Sequence, residues 1–155
     1  MISLLPVIPL AYFGIRLSII DFKTHRLPNH LVGWFTAIEI LIIGVTSWFT
    51  SDWTRLAAAL GTALITIFAY LLFYLASRGS LGMGDVKFAF PLGLCVGWYS
   101  ANHWLVAIFV SFLLAGLVAV IGLATKRMTR KSRLAFGPYM FLGTFLVCVL
   151  EVLQH

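Results

Sequence analysis

Leu81-Gly82-Met83-Gly84-Asp85-Val86-Lys87 opens the apolar run Phe88 to Trp98 and sets an acid among two glycines and a lysine at its threshold. The run from Phe88 is only 11 residues, too short to cross a bilayer. Counted from Leu81 it reaches 18, the short end of what spans. The stretch is therefore expected to dip into the membrane as non-helical backbone, sheltered by protein or lining a water-filled cavity. An aspartate at the centre of a bilayer costs roughly 2.5–3.5 kcal/mol on insertion scales. The sequence holds just five acids, Asp21, Glu39, Asp52, Asp85 and Glu151. Asp85 is thus a candidate functional residue.

The surrounding composition says what kind of chain this is. Of its 155 residues, 61% are hydrophobic and 10% charged, where a soluble domain carries about 25% charged residues. The expected fold is an all-α integral membrane bundle, with residues 1–155 as one membrane-embedded domain. The net charge of +6 falls between apolar runs, so it sets orientation in the bilayer and does not point to nucleic acid. Cys95 and Cys148 sit inside apolar runs and read as small buried residues. The four histidines are scattered and form no ligand pair, so neither a metal nor a cofactor is expected. The N-terminus lacks the basic start of a cleavable signal peptide.

Six apolar spans follow in order: Met1 to Ile20, Leu31 to Phe49, Leu56 to Ala76, the run from Leu81 to Trp98, Trp104 to Thr125, and Leu134 to Leu153. Pro6 and Pro9 fall early in the first span and are expected to kink or delay its helix. Asn29, after Pro28, is placed to cap the second helix. Gly116 and Gly122 are expected to permit close helix contact in the fifth. Trp48, Trp53, Trp98, Tyr99 and Trp104 lie near span ends and fit interfacial belts.

Lys and Arg number two, two and five in the loops 21–30, 77–87 and 126–133, against one in 50–55 and none in 99–103. The positive-inside rule puts the first three loops in the cytosol and both termini outside. Asp21 and Asp85, 64 residues apart, then share one membrane face.

Two aspartates at one depth in a cleft can share a proton, because like charges a few ångströms apart cannot both ionise. The ionised member would take a proton from water and the protonated one would polarise a scissile carbonyl. The alternative is that each is a solvated helix-end residue paired with Lys23 or Lys87. Gly82 and Gly84 would let backbone approach closely beside Asp85.

Asp21 with Leu27-Pro28-Asn29 resembles the first catalytic motif of the type IV prepilin leader peptidases. Gly82-Met83-Gly84-Asp85-Val86-Lys87 resembles their second, the GxGD motif followed by a lysine. Phe136-Gly137-Pro138-Tyr139 resembles the element that opens their last helix. The resemblance implies an enzyme of the bacterial cytoplasmic membrane that removes short basic leaders from prepilins and from pseudopilins of type II secretion, cutting at the cytosolic face. It carries the catalytic roles to Asp21 and Asp85. Full-length members begin with a segment bearing two zinc-binding CxxC pairs and also N-methylate the product. This chain has no CxxC, so peptidase activity without zinc and without methylation is expected.

Lys87 either tunes Asp85 or anchors its helix at the interface. Gly137 and Pro138 either line a substrate cleft or simply start a helix. Glu39 reads as a helix–helix hydrogen bond, and the basic loop 126–133 as lipid-facing. A GxGD protease of the presenilin type is disfavoured, since Ile20 precedes Asp21 and no PAL motif occurs. A transporter or proton relay would need a polar path, whereas the acids other than Glu39 lie near span ends. A catalytically silent paralogue is the remaining alternative.

Overall fold

The computed structural model describes residues 5–77, 81–127, 129 and 134–154. They form six α-helices and, among the described residues, no strand: α1 Val7–Thr24, α2 Asn29–Thr50, α3 Trp53–Ala76, α4 Met83–Ser100, α5 Trp104–Ala124 and α6 Gly137–Gln154, with a 3-10 turn at Ala101–His103. Four segments are long and apolar enough to cross a membrane: α2, α3, the stretch Met83–Ala124 and α6. This is an integral membrane protein. The stretch of 42 residues would run to about 63 Å if straight, twice the hydrocarbon thickness. Ser100, at φ −160° and ψ 100°, breaks it into α4 and α5. α1 falls outside the four, carrying Arg16, Asp21 and Lys23 within its 18 residues.

Helix boundaries follow local chemistry. Pro6 caps α1 and Pro9 falls in its first turn, where no intrahelical N–H is needed, so the helix starts at Val7, with the delay expected of the prolines. α1 stops where His25 turns left-handed (φ 50°) and donates its N–H to the Asp21 carbonyl at 2.8 Å. α2 stops likewise at Ser51 (φ 54°). Asp52 then caps α3 by accepting the Arg55 N–H at 3.0 Å. The polar turn there is shorter than expected, because this cap starts α3 at Trp53.

The helices alternate in direction. The ends of α1, α3 and α5 and the starts of α2, α4 and α6 gather at one end of the bundle, where Asp21 and Asp85 border one cavity. At the other end the Arg55 guanidinium lies 5.4 Å over the Trp98 ring, and His103 pairs with Glu151 near the end of α6. The interior holds a run of rings, Phe13 on Phe35 at 5.5 Å and Phe35 on Phe88 at 6.2 Å, joining α1, α2 and α4. Buried hydroxyls such as Thr62, Thr66, Ser111 and Thr144 lie inside, while Leu64, Phe68, Phe109 and Leu113 face outward. That inverted pattern suits lipid, which is as apolar as leucine and leaves close packing to hold helices together.

Small residues do that packing. A β-carbon on Gly97 would lie 2.6 Å from Thr62 Cβ and 2.7 Å from Ala59 Cα, and one on Gly93 would lie 2.7 Å from Ala63 Cα. Gly93 and Gly97, four apart on α4, thus set its backbone against α3. Gly143 plays this part between α6 and α5, against Ser111 and the Ala107 carbonyl. Gly116 does not: a β-carbon there meets nothing within 4 Å. Its small-residue signal was real, but its face of α5 has no neighbouring helix. Trp98 departs from the interfacial belt too. It is 3% exposed and packs in a core of Ile43, Ala59, Ala63 and Leu94, while Trp48 and Trp53 are exposed.

Candidate active site

Asp21 sits one turn before the end of α1 and Asp85 in the first turn of α4. The expectation of non-helical backbone at Met83-Gly84-Asp85 is corrected: these residues are helical from Met83. Gly82 is the N-cap, and Asp85, three residues on, reaches back to accept the Gly82 N–H at 3.0 Å. An acid at this position meets donors that lack an intrahelical partner, so it starts the helix instead of interrupting it.

The two aspartates are brought together by the chain between α1 and α2. Leu27 folds over the start of α4, and a β-carbon on Gly84 would lie 3.1 Å from Leu27 Cβ. The missing side chain at Gly84 is what lets the two segments meet. Asn29 ties the same segments: Lys87 Nζ donates to its Oδ1 at 3.0 Å. Asn29 therefore does not cap α2. Pro28 occupies the cap position and Asn29 is the first helical residue, with its side chain turned to α4. From the third side comes α6. The Gly137 N–H donates to Asp21 Oδ2 at 2.9 Å, and a β-carbon on Gly137 would sit 2.9 Å from that oxygen.

The result is a cavity of about 340 Å³. Asp21, His25, Arg26, Leu27 and Asn29 border it from the first connection. Gly82, Met83, Gly84, Asp85 and Lys87 border it from α4. Both aspartates are largely shielded, at 5% and 7% exposure, and close enough to interact electrostatically. Among the described residues neither forms an ion pair with a lysine, and Lys87 donates to Asn29 instead. Among the described residues no cluster of His, Cys, Asp or Glu could hold a metal ion. A larger groove of about 570 Å³ shares His25 but is lined mainly by apolar residues such as Phe22, Val118 and Ile121.

The family model described as the type IV leader peptidase family matches residues 8–122. The chain belongs to that family. Two curated relatives carry the name prepilin leader peptidase/N-methyltransferase. The Bacillus subtilis protein is 24% identical over 94% of this chain and 55% of its own length. The Dickeya chrysanthemi protein is 26% identical over 91% of this chain and 50% of its own. The chain thus spans about half the length of these relatives. No solved structure matches it.

Within this family member, the structure gathers Asp21, Asp85, Gly82, Gly84 and Lys87 at one cavity, with Gly137 on Asp21. Pro138 is in the first turn of α6 and does not border the cavity. The basic loop at 126–133 lies mostly outside the described residues. Sequence reasoning missed His25, Arg26 and Met83 as lining residues. Asn29 and Leu27 lay within a quoted motif, but nothing in the spacing said that they would meet Lys87 and Gly84. Glu39 is apart, fully buried between α2 and α4, where the Cys95 thiol donates to its Oε1 at 3.0 Å. That is the helix–helix bond expected of it. Both cysteines are buried and free.

Proposed function

We propose that this chain is an aspartic endopeptidase that removes the short basic leader from type IV prepilins or type II secretion pseudopilins, with Asp21 and Asp85 as its catalytic pair. The observation that carries the reading is that both carboxylates, 64 residues apart in sequence and on different helices, border one cavity of about 340 Å³. Family membership and the relatives' names support the substrate class. In this reading the pair shares one proton, since two adjacent carboxylates cannot both ionise. The ionised member takes a proton from water, which attacks the scissile carbonyl. The protonated member polarises that carbonyl and then passes its proton to the leaving amine. Gly82 and Gly137 hold one oxygen of each carboxylate through their N–H groups, leaving the other oxygens for water and substrate.

All six helices cross the bacterial inner membrane as one unit in this proposal, with the cavity at the cytosolic face and both chain ends outside. The support is the concentration of Lys and Arg in the connections at the cavity end. Hydrolysis is the only activity assigned to these residues; the methyl transfer in the relatives' names is not.

The test is cleavage of a prepilin in membranes of a strain lacking its own prepilin peptidases, followed by the mobility shift on leader loss. Asp21→Asn and Asp85→Asn keep size and remove the shared proton, and each is expected to abolish cleavage while accumulating normally. Cleavage by either variant at the wild-type rate rejects the pair. No cleavage by wild type of several prepilins favours a silent paralogue.

A further inference from the structure

We infer that Asn29 is a substrate-binding residue, whose side-chain amide donates hydrogen bonds to a backbone carbonyl of the peptide lying against Asp21 and Asp85. This rests on the peptidase reading and extends it to how the peptide is held.

The inference starts from the direction of one hydrogen bond. Lys87 Nζ lies 3.0 Å from Asn29 Oδ1. An ammonium can only donate, so the amide must turn its oxygen to Lys87. Its two N–H groups then point away from Lys87, with the amide orientation fixed by chemistry. Asn29 borders the same cavity as both aspartates, and its Nδ2 has no partner among the described residues. Pro28 holds the cap position, so the amide is not spent on the start of α2.

A clasp between α2 and α4 would need only the oxygen. Aspartate would serve better there, because its bond to lysine is charge-assisted and shorter. What asparagine adds is a pair of donors at the border of the cavity, where Asn29 is exposed. An extended peptide offers carbonyl acceptors on both sides of the bond to be cut, and two carboxylates cannot fix the approach of one carbonyl unless its neighbours are held as well. Lys87 is two residues from Asp85, so the amide is oriented by the same helical turn that carries the acid.

The test separates clasp from donor. Asn29→Asp keeps the acceptor for Lys87 and removes both donors. With a prepilin in detergent micelles, it is expected to raise KM about tenfold with kcat within twofold, as loss of a bond made equally before and during reaction does. Lys87→Met leaves the amide free to flip and is expected to raise KM two- to threefold. Independently of turnover, a labelled N-terminal prepilin segment is titrated onto Asp85→Asn, with and without Asn29→Asp; a tenfold loss of affinity is expected. If Asn29→Asp does not accumulate, Asn29→Ala is compared with Lys87→Met, which removes the clasp alone, and the donor role requires the larger rise in KM from Asn29→Ala. Unchanged KM and affinity overturn the inference. If cleavage depends on the aspartates but not on the donors, the inference alone fails. If nothing is cleaved while binding weakens tenfold, the donor role stands and the catalytic reading falls.

Discussion

The N–H of Gly137, first residue of α6, donates to the carboxylate of Asp21, on α1, across 116 residues of chain at 2.9 Å. A helix start is rich in unpaired donors, and Pro138 beside it has none, so Gly137 supplies the first free N–H for an anion. The absence of a side chain matters as much: there is no room for one between this backbone and Asp21 Oδ2. The last helix thereby fixes an acid borne by the first.

Gly137→Ala places a methyl 2.9 Å from Asp21 Oδ2 and must displace the carboxylate. A misplacement near 1 Å costs on the order of 100-fold in rate. We expect kcat/KM for prepilin cleavage to fall about 10- to 100-fold while the protein accumulates normally. Unchanged kinetics would show that Asp21 does not need this placement.

Gly97→Leu drives a side chain into Thr62 and the Ala59 backbone. Overpacking of this kind costs about 1–3 kcal/mol or more, so thermal unfolding in detergent should occur at lower temperature. Gly44→Ala is the control. A β-carbon there meets nothing within 4 Å, and the variant should be no less stable than wild type, with a gain of up to about 1 kcal/mol because alanine is the better helix former.

Glu39→Gln keeps an oxygen for the Cys95 thiol and nearly the same volume, so stability should change by less than about 1 kcal/mol. Glu39→Ala opens a void in the core and strands the thiol, at a cost of about 2–4 kcal/mol. Denaturant titration of both variants checks the pair. Equal losses would mean that the charge of Glu39, not its shape and acceptor, is what the bundle uses.

Asp52, in the turn between α2 and α3, is held below the ordinary carboxyl value of 3.8 by the Thr54 hydroxyl and then by the Arg55 N–H. A group lowered on folding contributes stability that is present above its unfolded value and lost as pH falls through its folded one. Asp52→Ala should lower Tm at pH 7, and the gap to wild type should close below about pH 4. A gap that fails to narrow between about pH 4 and pH 2 would show that the cap does not depend on the charge.

How legible all this was from the sequence varies by feature. Span lengths and the scarcity of charge determined that the chain is a helical membrane protein, because bilayer thickness acts on each segment alone. The candidate pair was also legible, since acids are costly in apolar surroundings and only five occur. Met83-Gly84-Asp85 is helical for a local reason, because Asp85 accepts the Gly82 N–H three residues back. Two features were decided only by tertiary structure. Asn29 leaves its expected cap because Lys87, 58 residues on, competes for its oxygen. Gly93 and Gly97 make a helix contact while Gly116 makes none, because a glycine marks where close approach is possible, and only the assembled bundle decides where a neighbour is present.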